Sequence, residues 1–282
     1  MQKQKKVAAI HDLSGFGRCS LTVIIPVLSA LGIQVCPVPT AVLATHTGGF
    51  GEAVMKDMTG FITAALNKYK ELEIDFDAVY SGFLASSEQI DCCLDFFKSY
   101  PKALKVADPV MGDHGRIYST YTKELCDRMG ELADVADVIT PNVTEAAILL
   151  GEDYPQFLER DKARSWLKRL RERAPAVVMT GVLLSEGCIV NVCAEKSSMK
   201  LVECDYVPQN YPGTGDLFAS VLTGGLLKGD DLNTAMNKAT AFVQTAVTVT
   251  FTHKTEPRNG VNFEKCLSLL AEEHVFLERG EL

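Results

Sequence analysis

The sequence predicts an α/β protein of three layers, α/β/α, in which a mostly parallel sheet is covered by helices on both faces. Two observations carry that reading. Short apolar runs bounded by turn residues alternate with longer stretches whose apolar residues recur at helical spacing. The short runs are apolar at successive positions, as strands buried on both faces require. Such alternation implies right-handed β-α-β crossovers.

Taken in order, the runs at 7–10, 34–38, 78–80, 104–107, 135–139 and 176–180 are the expected strands. Between them, 87–97 places Ile90, Cys93, Leu94 and Phe97 on one helical face. The stretch 161–173 does the same with Ala163, Trp166, Leu167 and Leu170, opposite a densely basic face. Residues 188–192 and 199–204 break the rhythm and read as a small β-hairpin extension around a polar turn at 194–198. The most helical stretches are 215–227 and 232–248, and a closing helix is expected near 263–276. No Pro/Ser-rich linker, repeat or low-complexity tract interrupts the chain, so residues 1–282 read as a single domain.

Composition narrows the function. With 47% apolar and 23% charged residues the chain is neither disordered nor fibrous. A net charge of −8 argues against nucleic acid or an anionic membrane as partner, because phosphate backbones select basic faces. It leaves room for a nucleotide, whose charge backbone amides and a cation can meet locally. The longest dense apolar stretch, 21–33, carries Thr22, Pro26 and Ser29 and falls short of a bilayer span of about 18 residues. The basic start is followed by too short an apolar run for a signal peptide, so a cytoplasmic location is expected. Nine cysteines without a Cys-x-x-Cys pair fit reduced core residues rather than disulfides or zinc.

Three stretches carry chemistry. In Pro212-Gly-Thr-Gly-Asp-Leu-Phe-Ala219, two glycines lead into a helix whose first N–H groups and dipole suit an anionic oxygen. Asp216 at that mouth either caps the helix or accepts a proton from a substrate hydroxyl. In Ala107-Asp-Pro-Val-Met-Gly-Asp-His-Gly-Arg-Ile-Tyr118, Asp108 stands at a strand's carboxyl end, where open α/β sheets place ligands. With Asp113, Gly112 and Gly115 it forms either an acidic loop suited to Mg²⁺ beside phosphates or a solvated turn. In Ile139-Thr-Pro-Asn-Val-Thr-Glu-Ala146, a strand end gives way to a helix over 144–150. Asn142 and Glu145 either face the same crevice or merely cap that helix.

Other candidates are weaker. His46, between Thr45 and Thr47 in a Gly-containing loop, reads as a loop site rather than a core residue. His11 and Asp12 are neighbours on a strand and are expected to point to opposite faces, which speaks against an acid–base pair. His114, His253 and His274 read as solvated and Cys92-Cys93 as packing. The loop Ser14-Gly-Phe-Gly17 lacks the dinucleotide fingerprint, and no Gly-x-x-x-x-Gly-Lys-[Ser/Thr] occurs.

The three stretches in this order, with Thr45-His-Thr-Gly48 and Ser81-Gly-Phe83, resemble the ribokinase-like superfamily and within it the pyridoxal (vitamin B6) kinases. The likeness runs from about Val7 to Phe251. It implies a ribokinase-like fold and ATP-dependent phosphorylation of the 5′-hydroxymethyl group of pyridoxal, pyridoxine or pyridoxamine. Asp216 would be the general base and the amides of Gly213, Thr214 and Gly215 the anion hole. Asp108, Asp113, Asn142 and Glu145 would organise Mg²⁺ and the phosphates, the three carboxylates as metal ligands. Thr140, Thr180 and Thr214 would line the ATP path, with Tyr118 over the site. Asp12, Ser14, His46, Thr47 and Phe83 would surround the pyridine ring. A monovalent cation such as K⁺ and a homodimer are further implications.

Two departures touch the substrate pocket. Asp12, with Ser14 two residues on, stands where many B6 kinases have serine, and Leu43 stands where an aromatic often covers the ring. They bear on substrate choice more than on reaction type. A hydroxymethylpyrimidine or other small-alcohol kinase, and a silent binding protein of the same fold, are the competing readings.

Overall fold

A computed structural model describes residues 3–271. The chain opens with β1 (Lys6–Phe16), α1 (Leu21–Ala30), β2 (Gln34–Thr45), β3 (Met55–Asp57) and α2 (Thr59–Glu71). Then follow β4 (Ala78–Ser81), α3 (Ser87–Ser99), β5 (Leu104–Ala107) and the two-residue strands β6 (Gly112–Asp113) and β7 (Arg116–Ile117). Next are α4 (Lys123–Val135), β8 (Val138–Ile139), α5 (Val143–Leu150) and α6 (Arg160–Leu170). The last part comprises β9 (Ala176–Ser185), β10 (Cys188–Glu195), β11 (Ser198–Cys204), α7 (Thr214–Leu227) and α8 (Leu232–Thr252).

Nine strands form one sheet in the order β11-β10-β9-β8-β5-β4-β1-β2-β3. The six from β9 to β2 are parallel, and antiparallel pairs occupy both edges. Side-chain alternation divides the core in two. Ala8, Ile10, Val79, Ala107, Ile139 and Val177 face the layer containing α2 to α6. Val7, Ala9, Ala78, Tyr80 and Val106 face α1 and α7, while Val138, Ala176 and Val178 face α7 and α8. The expected three-layer, mostly parallel architecture is present.

The differences have local causes. Val135 ends α4 instead of opening a strand, since it lies half-exposed before an extended Ala136. β1 and β2 run well past their apolar cores, pairing as far as Phe16 with Thr45 after a register shift between His11 and Leu13. The hairpin β10–β11 continues the main sheet through β9. In place of a closing α-helix there is a 3-10 turn over Phe263–Leu269, burying Phe263 and Cys266 at the three-residue spacing of that helix. The remainder of that expected helix, from 272, lies outside the described residues, as does His274. All nine cysteines are free thiols. Among the described residues no helix is long and apolar enough to cross a membrane.

Candidate active site

The carboxyl ends of β1, β5 and β8 and the start of α7 meet at one end of the sheet. Gly213 precedes α7 with φ of 83°, and a Cβ there would lie 2.0 Å from the Arg18 carbonyl oxygen. Only glycine tolerates both the left-handed backbone and that approach. No side chain caps the start of α7, so its first N–H groups point outward from a positive dipole end.

Asp216 lies in the first turn of this helix but does not cap it. Its Oδ2 accepts a hydrogen bond from the Ser20 backbone N–H at 2.7 Å, from the turn after β1. Its Oδ1 lies 3.1 Å from Nε2 of His11, within ion-pair distance. Ser20 holds a positive φ of 58°, uncommon outside glycine, and so stores backbone strain at the contact.

His11 is the main correction to the sequence reading. The expectation that His11 and Asp12 diverge fails because the register shift between His11 and Leu13 bulges the strand and re-aims its side chains. Nδ1 of His11 stands 2.9 Å from Oδ1 of Asp12, and both residues are buried. Burial alone would discharge the ring. The charges and hydrogen bonds of Asp216 and Asp12 outweigh it and push the imidazole up to about 10. Burial likewise opposes ionisation of Asp12, yet contact with His11, and with Ser20 and Ser14, holds its carboxyl below the usual range. Oδ2 of Asp12 accepts from the Ser14 hydroxyl at 2.7 Å. Asp12 and Ser14, expected at the pyridine ring, are therefore engaged with each other and with His11.

The second motif folds onto the third. The Met111 amide donates to Oε1 of Glu145 at 3.2 Å and the Asn142 amide to Oε2 at 2.8 Å. Asn142 donates through Nδ2 to the Gly112 carbonyl, and Gly115 donates to the Thr144 hydroxyl. Asn142 and Glu145 close a capping box on α5, as the capping reading expects. Thr180 joins this wall through a β-bridge with Asn142.

Asp108 is buried at the end of β5; desolvation, then the charge of Asp216, pushes its carboxyl up to about 7, while Thr140 beside it favours the charged form. Glu145 is raised well above its ordinary value by burial and then by Asp108. The Tyr118 hydroxyl is raised by burial and then by Glu145, Asp113, Asp216 and Asp108, while the residue as a whole stays 38% exposed. Asp113 sits at the β6–β7 tip, half-exposed beside an equally exposed His114. Among the described residues, no three His, Cys, Asp or Glu side chains form a ready metal cage. Buried carboxylates with raised proton affinity, all hard oxygen donors, suit a dication shared with phosphate oxygens.

The remaining expected residues are placed more peripherally. His46 is buried, with Nε2 at 2.7 Å from the Arg258 carbonyl and Nδ1 accepting from the Gly48 amide. It orders the loops at 46–50 and 257–260, and a Cβ on Gly17 would strike its ring. Thr47 beside it is half-buried. Phe83 packs edge-to-face on Tyr121, and Leu43 is buried opposite Ser14 in the β1–β2 pairing. His253 hydrogen-bonds Val249 and Lys265, and Cys92 and Cys93 are core residues.

An uncapped helix start, a carboxylate on its first turn and the buried acidic residues Asp108 and Glu145 are thus gathered on a ribokinase-like fold. The family model for phosphomethylpyrimidine kinase matches residues 25–261, and the chain belongs to that family. A Bacteroides thetaiotaomicron protein assigned as a phosphomethylpyrimidine kinase, solved in an orthorhombic form with pyridoxal, superposes with TM-score 0.91 at 41% identity, covering 95% of this chain and 96% of that one. Pyridoxal kinase from Lactobacillus plantarum gives TM-score 0.88 at 28% identity, over 95% and 97%. A chloroplastic bifunctional enzyme of thiamine biosynthesis from Arabidopsis thaliana is 31% identical over 224 residues. That match covers 78% of this chain but 42% of the plant enzyme.

Proposed function

We propose that this kinase transfers the γ-phosphoryl group of ATP to the 5′-hydroxymethyl group of a B6 vitamer, with Asp216 as general base. The observation that supports it best is the placing of the Asp216 carboxylate on the first turn of α7, beside the uncapped amides and within the electrostatic reach of Asp108. A proton acceptor next to an anion cradle is what transfer to an alcohol needs, since the reaction depends on positioning and charge stabilisation.

In this reading the amides of Gly213, Thr214 and Gly215 receive the transferring phosphoryl oxygens. Asp216 takes the alcohol proton on an oxygen lone pair left over from Ser20 and His11. Asp108 and Glu145, with Asp113, would hold Mg²⁺, which would offset phosphate charge when bound. Asn142, Thr140 and Thr180 line the phosphate path and Tyr118 shields it from water. His46 and Thr47 order the loop over the alcohol, and Phe83 backs it. The pyridoxal held by the Bacteroides structure supports the B6 assignment. The phosphomethylpyrimidine kinase family model, with a Rhizobium meliloti hydroxymethylpyrimidine/phosphomethylpyrimidine kinase 27% identical over 220 residues, supports hydroxymethylpyrimidine as the second reading.

A coupled ATP assay over pyridoxal, pyridoxine, pyridoxamine and hydroxymethylpyrimidine separates the two. Turnover of at least one vitamer at higher kcat/KM than the pyrimidine is expected. Turnover of the pyrimidine alone transfers the assignment to it, and pyridoxal binding without ADP release identifies a silent binder.

A further inference from the structure

We propose that His11 is a positioning residue, held by Asp12, that fixes the carboxylate of Asp216 toward the substrate alcohol; this rests on Asp216 being the base. The case is geometric. The ring bridges two carboxylates that come from distant parts of the chain, Nδ1 at 2.9 Å from Asp12 and Nε2 at 3.1 Å from Asp216. The outer oxygen of each carboxylate is pinned as well, on Asp12 by the Ser14 hydroxyl and on Asp216 by the Ser20 amide, both at 2.7 Å. The row Ser14–Asp12–His11–Asp216–Ser20 restrains both carboxylates, with Nε2 of His11 acting on Asp216 through proximity and charge rather than through an aligned hydrogen bond.

The surroundings are shaped for the ring. A Cβ on Gly82 would lie 2.0 Å from its Cδ2 and 2.2 Å from its Nε2, so glycine is required where β4 ends. Tyr80 closes a side edge-to-face, with centroids 6.4 Å apart. The β1 bulge then brings His11 and Asp12 together where an unbroken strand separates them. A core histidine that only filled space would not need the bulge that brings Asp12 to its Nδ1.

The test is a double-mutant cycle, His11→Gln and Asp216→Asn, each alone and combined, with Asp12→Asn as a near-isosteric third variant. His11→Gln is expected to lower kcat about 10- to 100-fold with KM for ATP unchanged within about twofold. In the Asp216→Asn background it should add less than about twofold, because residues acting as one unit are non-additive. Asp12→Asn should lower kcat in the same direction by about 3- to 10-fold, and it carries the test if His11→Gln does not fold. Equal losses in both backgrounds, or losses confined to thermal stability, overturn the proposal. An Asp216→Asn enzyme of wild-type rate sinks instead the assignment of the base.

Imidazole NMR of ¹⁵N-histidine protein reads the bridge without turnover. Asp216→Asn should move the Nε2 signal of His11 and Asp12→Asn the Nδ1 signal. An Nε2 signal indifferent to Asp216→Asn rejects the bridge whatever the substrate proves to be.

Discussion

The two walls of the cleft are held by different physics. The wall proposed to take the phosphates (the phosphate wall), 108–118 with 140–145, is stitched by neutral amides donating to Glu145, Thr144 and the Gly112 carbonyl, between segments about 30 residues apart. The alcohol wall, 11–20 with 213–216, which in the proposed reading also carries the amides for the transferring phosphoryl group, is joined by one amide hydrogen bond from Ser20 and by the His11–Asp216 ion pair, between segments some 200 residues apart. A wall of hydrogen bonds keeps its shape when one contact is lost. The alcohol wall has one histidine ring between two carboxylates, and removing the ring leaves Asp12 and Asp216 without their shared partner.

The largest effect expected from this contrast is that of Asp216→Asn. It keeps the shape of the side chain and an oxygen for the Ser20 amide but removes the proton acceptor. The value of kcat should fall about 10²–10⁴-fold, the range for a positioned base, with KM for ATP nearly constant because the phosphate wall is untouched. Steady-state kinetics at saturating vitamer checks this, and a rate within tenfold of wild type would break the comparison at its centre.

Gly213→Ala separates backbone from charge on the same wall. The left-handed turn costs a non-glycine residue about 1–2 kcal/mol, and the new Cβ drives the Arg18 carbonyl away. Displacing a cradle amide should lower kcat about 10²–10³-fold. Unlike Asp216→Asn, it should also lower the thermal midpoint, by about 2–4 °C for each kcal/mol lost. A fall in midpoint with full activity would show that the turn supports the fold and not the phosphoryl group.

The same contrast explains what the sequence disclosed. The phosphate wall is built from contiguous motifs, so Asp108, Asn142 and Glu145 could be read from a strand end followed by a capped helix. The turn at 213–216 was legible for the same reason, and so was the parallel sheet, from its apolar runs. Legibility ended where contacts join distant segments. His11 was set aside on strand alternation, and a bulge cancels that rule without a local signature. A signal was there: His11, Asp12 and Ser14 stand in a run otherwise apolar enough to be buried, and buried polar residues need partners. His46 reads as a loop site rather than a core residue; it does lie in a loop, but buried. Its two ring nitrogens, however, are spent on the backbone of Gly48 and Arg258, the second of which is 212 residues away.

Thr144→Val is the gentlest probe, and it addresses the phosphate wall alone. It deletes the hydroxyl that accepts from the Gly115 amide at 2.9 Å and leaves the capping box between Asn142 and Glu145 in place. Gly115 is partly exposed, so water can take over the lost acceptor, and a net hydrogen bond is worth about 0.5–1.5 kcal/mol. The tip carrying Asp113 and Tyr118 should loosen by that amount, which predicts a rise in KM for ATP of about two- to tenfold. The alcohol wall shares no partner with this bond, so kcat should stay within about twofold and KM for the vitamer should not move. If kcat falls as far as it does in Gly213→Ala, the walls are mechanically one, and the charge chain through His11 depends on the hairpin after all.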